Sequence, residues 1–150
     1  MEETSKIEGL VLVIDANIII AAFLKDSITR RLLLHPHIKV FTTDYTVDEF
    51  LQHKDFIIKR AKYSKEDFDE LAKIILPKIK ITAQHNYFSK SEMAKKLIGS
   101  VDEKDIPIVA LALTIENKGI WTYDEHFNVV KDKIKIWKTK ELAKYMFGET

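Results

Sequence analysis

Leu10-Val-Leu-Val-Ile14 is an unbroken apolar run, mostly β-branched, and such a run reads as a strand buried on both faces, as in a parallel sheet. It stops at Asp15. The apolar positions from Ala16 to Lys25 predict a short helix, and those from Thr29 to Leu34 a second. Lys39-Val-Phe-Thr-Thr43 is the next strand, with Thr43 or Asp44 able to cap one helix that runs through Glu49, Phe50, Phe56 and Ile57. Ser64-x-x-Asp67 resembles a capping signal for a helix through Phe68, Leu71, Ile74 and Ile75 that Pro77 should end. A strand over Lys78 to Thr82 follows, then a helix from Ser89 or Ser91 through Met93, Leu97 and Ile98 to Gly99.

Asp102 or Asp105 opens the most apolar helix, Ile106 to Asn117, with Pro107 in the first turn, where its missing N–H costs nothing. Gly119 should stop it. Strands at Ile120-Trp-Thr122 and at Lys135 to Trp137 are separated by a turn at Asp124 to Phe127, and a last helix spans Thr139 to Phe147. Strands alternating with helices at this spacing predict a parallel sheet with helices on both faces, joined by right-handed crossovers.

Composition narrows the class. A chain of 150 residues, 46% hydrophobic with four Gly and three Pro, reads as one domain over 1–150 with a core from about 10 to 147. The absence of Cys excludes disulfides, thiolate metal sites and a cysteine nucleophile, and fits a reducing cytoplasm. The apolar stretches are too short to span a membrane, and Glu2, Glu3 and Glu8 do not resemble an export signal. The expected location is cytoplasmic. Net charge is only +1, so a nucleic-acid partner would have to be held by local patches.

Ligands of an open parallel sheet bind beyond the carboxyl ends of its strands, where the strand order reverses. Asp15 and Asp124 fall at such ends, each a carboxylate at the rim of a buried strand and poorly hydrated without a partner. A helix N-cap would by itself explain Asp15, and Glu49 and Asp105 are dipole-favourable acids near helix starts. Together, four acids from four segments, with no Arg beside them in sequence, are the ligand chemistry a hard divalent cation requires.

The order Val11-Leu-Val-Ile-Asp15-Ala-Asn17, Thr46-Val-Asp-Glu49-Phe50, Asp102-Glu-Lys-Asp105-Ile-Pro-Ile-Val-Ala-Leu-Ala-Leu113 and Gly119-Ile-Trp-Thr122-Tyr-Asp124-Glu-His-Phe127 resembles the PIN-domain nucleases from about residue 10 to 137. The resemblance implies a Rossmann-like three-layer α/β/α fold with a mainly parallel central sheet of four to five strands. It also implies an endoribonuclease that hydrolyses single-stranded RNA with Mg²⁺ or Mn²⁺. By position it assigns catalysis and metal ligation to Asp15, Glu49, Asp105 and Asp124, with Asp102 as a near rival of Asp105. Asn17 and Thr122 would orient a carboxylate or the attacking water. Many small prokaryotic members are toxins of type II toxin–antitoxin pairs and act as homodimers, so an antitoxin protein and a second copy are implied partners. The stretch from Lys62 to Ser100 is longer than in compact members, and nothing in it names a role.

Crowded carboxylates repel, so burial together should raise some of their pKa values until a divalent ion relieves the repulsion and attracts phosphate. Hydrolysis with water as nucleophile would leave a 5′-phosphate and a 3′-hydroxyl; the number of ions stays open. Lys25, Arg30, Arg31 and Lys104, with Lys90, Lys95 and Lys96, are the candidate phosphate contacts, and Tyr45, Tyr87 and Phe88 the candidate stacking groups. The five His do not cluster, and His126, next to Glu125 just beyond Asp124, is the one expected to be near enough to matter. Two other readings compete: a catalytically silent scaffold binding RNA or protein, and an aspartyl phosphotransfer domain with Asp15 as acceptor. The second is weakened because Asn17 stands where a dehalogenase-type site needs an acid.

Overall fold

A computed structural model describes residues 9–99 and 102–148, and Ser100, Glu2, Glu3 and Glu8 lie outside them. The sheet is five-stranded and wholly parallel, in the order β3-β2-β1-β4-β5, with β1 Leu10–Ile14, β2 Ile38–Thr43, β3 Ile79–Thr82, β4 Ile120–Trp121 and β5 Ile136–Trp137. Nine helices among the described residues surround it: α1 Ala16–Leu24, α2 Ile28–Leu33, α3 Asp44–Leu51, α4 Lys54–Ala61, α5 Lys65–Ile75, α6 Gln84–Tyr87, α7 Ser91–Ile98, α8 Ile106–Thr114 and α9 Thr139–Phe147.

Successive residues of a strand point to opposite faces, and β1 divides its side chains accordingly. Leu10, Leu12 and Ile14 join one cluster with α1, α2, Phe50, Ile57, Phe68 and Trp121. Val13 joins the other, with α8, Ile98, Ile120 and Phe127. The rings of Phe23, Phe50 and Phe68 meet at 4.8 and 5.1 Å and lock α1, α3 and α5 together; each buried ring contributes about 1.5–3 kcal/mol. Glu49, next to Phe50, is thereby carried on an immobilised helix. At the other end of the site, Trp121 Nε1 donates to Thr139 Oγ1 at 2.9 Å, tying β4 to α9.

Local signals behave as their chemistry dictates. Thr43 caps α3, accepting from Thr46 N at 2.9 Å. Ser64 and Asp67 close a reciprocal capping box on α5, each bond 3.0 Å, and Pro77 lies in the 3₁₀ turn that ends it. Two expectations need correction. The helix expected to run unbroken past Phe50 to Ile57 is split into α3 and α4, because His53 Nδ1 donates to the Glu49 carbonyl at 2.9 Å and its own N–H turns to Phe50 O. The helix expected to reach Asn117 ends at Thr114, since Asn117 Nδ2 donates to Ala112 O and Ile115 O at 2.9 and 2.8 Å. Gly119 is therefore not a helix stop. It has φ +135°, and a Cβ there would lie 2.9 Å from the Trp137 ring and closer still to the Lys135 carbonyl.

Candidate active site

The chain builds β1, β2 and β3 outward in one direction, then returns to lay β4 and β5 on the other side of β1. The connections after β1 and β4 diverge, which opens a crevice between the two strand ends. Asp15 leaves β1 and Asp124 follows β4 by three residues. Glu49 comes from α3 and Asp105 from the 3₁₀ turn Glu103–Asp105 that leads into α8. A cleft of about 160 Å³ is lined by Asp15, Glu49, Asp102, Asp105 and Asp124, with Asn17, Thr46 and Lys104 on its walls.

Asp15 is 7% exposed and caps α1, its Oδ1 accepting from Ile18 N at 3.3 Å. Its Oδ2 accepts from Thr122 Oγ1 at 2.6 Å, and the same Thr122 oxygen accepts from Asp124 N at 2.9 Å. A fully buried hydroxyl thus spans the gap between the ends of β1 and β4, fixing one acid's side chain to the other's backbone. Burial pushes the Asp15 carboxyl up to about 6; the Thr122 and Ile18 bonds oppose the rise, and the charges of Asp124 and Glu49 add to it.

Asp105 is also raised to about 6, first by burial and then by Asp124 and Asp102, with His126 opposing. Its Oδ2 is buried and accepts no hydrogen bond, which is costly for a carboxylate oxygen. His126 Nδ1 stands 3.5 Å from that oxygen and 3.1 Å from Asp124 Oδ1. Ligand atoms of Asp102, Asp105 and His126 all lie within 4.8 Å of one another. A buried oxygen that accepts no hydrogen bond, acids whose pKa burial and then neighbouring charge raise, and donors that are oxygen or imidazole fit a divalent cation.

The expected rim of cations is placed unevenly. Lys104 stands on the cleft wall, held by its N–H bond to Asp102 Oδ1 at 2.9 Å. Lys25 lies in a separate groove of about 570 Å³ with Arg60 and Tyr123. Arg30 is not part of that rim: its guanidinium donates to Ala22 O and Phe23 O at 2.7 and 3.3 Å and to the Tyr63 hydroxyl at 3.2 Å, satisfying the end of α1. Arg31 is exposed and pairs only loosely with Asp26, at 3.9 Å. Nothing local in the sequence links Arg60 to Lys25, 35 positions earlier, and only the fold puts them in one groove. Asn17 is exposed on the first turn of α1 and makes no side-chain hydrogen bond among the described residues.

No helix among the described residues is long and apolar enough to cross a membrane. Among curated proteins none matches the chain. A PIN-domain family model matches residues 13–146, from the end of β1 through β5 and with all five acids of the cleft, and the chain belongs to the PIN domain family, whose members are in general metal-dependent nucleases.

Proposed function

We propose that this chain is a divalent-metal-dependent endoribonuclease acting on single-stranded RNA. The observation that carries the reading is the convergence of five carboxylates at the β1/β4 switch point, one with a buried oxygen that accepts no hydrogen bond. Asp15, Glu49, Asp105 and Asp124 would hold Mg²⁺ or Mn²⁺, with Asp102 and His126 alongside Asp105. Such an ion would supply Lewis acidity, lowering the pKa of water so that it can lose a proton and serve as the nucleophile, and would offset the phosphate charge.

The chain's own groups do the positioning. Thr122 donates to Asp15 Oδ2, which keeps that carboxylate from rotating and keeps its other oxygen on the α1 N-terminus. Asn17 offers a free amide at the cleft mouth to a water or a ribose hydroxyl. Lys104 would take the phosphate at the cut, while Lys25 and Arg60 would hold the backbone in their own groove. So few cations suit a flexible single strand better than a duplex wrapped over many phosphates.

The test is cleavage of a fluorescently labelled unstructured RNA in Mn²⁺. Asp15→Asn and Asp124→Asn should each lower the rate at least about 100-fold, or about 2.7 kcal/mol of barrier, with the far-UV spectrum unchanged. Chelation should do the same to the wild type. Purified variants that cut like wild type would overturn the assignment, and metal-independent RNA binding without cleavage by the wild type would favour a silent scaffold.

A further inference from the structure

A second cavity, of about 440 Å³, is lined from the same two stretches of chain as the acidic cleft, by neighbouring residues. On α3 the two are divided between Asp48 and Glu49, and before α8 between Glu103 and its neighbours Asp102 and Lys104. Tyr45 and Phe88 line it and are 44% and 61% exposed, so two aromatic faces stand in water beside the site. Ile106 and Pro107 add apolar surface. Tyr87 is in the wall and is only 3% exposed, its hydroxyl donating to Asp44 Oδ1 at 2.7 Å.

Asp44 holds this wall together. Its carboxylate accepts from Tyr45 N at 2.8 Å, Gln84 N at 3.0 Å and the Tyr87 hydroxyl, so α3 and the segment carrying Phe88 are cross-linked at one point. The cavity is formed before any ligand arrives. Asp48 and Glu103 also line it, and their carboxylates have no hydrogen-bond or ion-pair partner among the described residues. No Lys or Arg lines it. A phosphate would meet only like charge there. A planar group with N–H donors would meet aromatic faces and free acceptors, which is how unpaired bases are read on their Watson–Crick edges.

We infer that this cavity is a base subsite, taking the unpaired nucleobase next to the phosphate held in the acidic cleft, by stacking on Tyr45 and Phe88. The inference rests on the nuclease reading given above. With two acceptor-only side chains, the subsite favours guanine, whose N1–H and N2–H donors lie side by side, over uracil with a single N–H donor.

The experiment measures kcat/KM for short RNAs in Mn²⁺ with one abasic ribonucleotide walked along the strand. For wild type, one position should show an about tenfold loss, the scale of one base–aromatic stack. In the Tyr45→Ala/Phe88→Ala double variant, intact RNA should be about tenfold slower and the abasic residue should cost much less than in wild type. Both side chains are exposed, so an unchanged melting temperature is expected and checks the fold. Absence of Mn²⁺-dependent cleavage by the wild type would instead strike at the nuclease reading. Given cleavage, equal losses from the abasic residue in both proteins would overturn the subsite and leave the cavity to a protein partner. Guanine at the sensitive position should outpace uracil in wild type and lose that advantage in Asp48→Asn/Glu103→Gln; equal wild-type rates would overturn the part given to the two acids.

Discussion

Replacing Asp15 by Asn should stabilise the metal-free protein near neutral pH. A carboxyl brought to about 6 from an ordinary 3.8 costs about 3 kcal/mol when it is ionised in the folded state. Asn has the same shape without the charge, yet its amide reproduces the Thr122 and Ile18 bonds imperfectly, which returns about 1–1.5 kcal/mol. The net gain is about 1.5–2 kcal/mol at about pH 7.5, or roughly 3–8 °C in Tm for a chain of this size. Because the folded pKa is raised, the wild-type group's contribution is fully present below 3.8 and lost as pH rises through about 6. At about pH 5 the wild type has recovered about 1.4 kcal/mol and the two proteins should be nearly equal. Urea denaturation in chelator at both pH values reads this directly. Saturating Mn²⁺ should reverse the order, since the wild type gains about 2.7 kcal/mol at a hundredfold excess over Kd and the variant gains less. A variant destabilised at both pH values, or more stable by the same amount at both, would refute the electrostatic account of Asp15.

Two further outcomes follow from contacts outside the acids. Gly119→Ala should lower stability by about 2 kcal/mol or more, read as a Tm fall of roughly 4 °C or more, because the added methyl meets the Trp137 ring and the Lys135 carbonyl at a φ that L residues avoid; a neutral substitution would mean that β5 shifts freely. Arg30→Ala should cost about 1–3 kcal/mol of stability and leave the salt dependence of RNA binding unchanged, whereas Lys104→Ala should leave Tm alone and reduce the slope of log affinity against log salt by about one. Titration calorimetry and thermal melts on the two variants check both, and exchanged phenotypes would show the two cations to be misassigned.

The amino-acid sequence by itself determined the elements and the acids that end or begin them. Leu10 to Ile14 is too apolar and β-branched for anything but a buried strand, Asp15 and Thr43 carry capping oxygens where helices start, and Pro107 is tolerated only in a first turn. These are decisions between near neighbours in the chain, governed by backbone sterics and burial periodicity. Even locally, His53 and Asn117 altered helix ends by capturing carbonyls, a competition that apolar spacing does not report.

Tertiary structure decided which of these pieces face one another. The Thr122–Asp15 bond joins residues 107 apart, and it exists because β4 is laid beside β1 and not beyond β3. The same placement brings His126 to Asp105, while the pairing of β3 with β2 puts Phe88 and Tyr45 on one cavity. It also took Arg30 out of the cationic rim, because unsatisfied carbonyls at the end of α1 and the Tyr63 hydroxyl lay within its reach. Periodicity records how deeply a residue is buried; the partner of a charge is settled by the order in which parallel strands are added to the sheet.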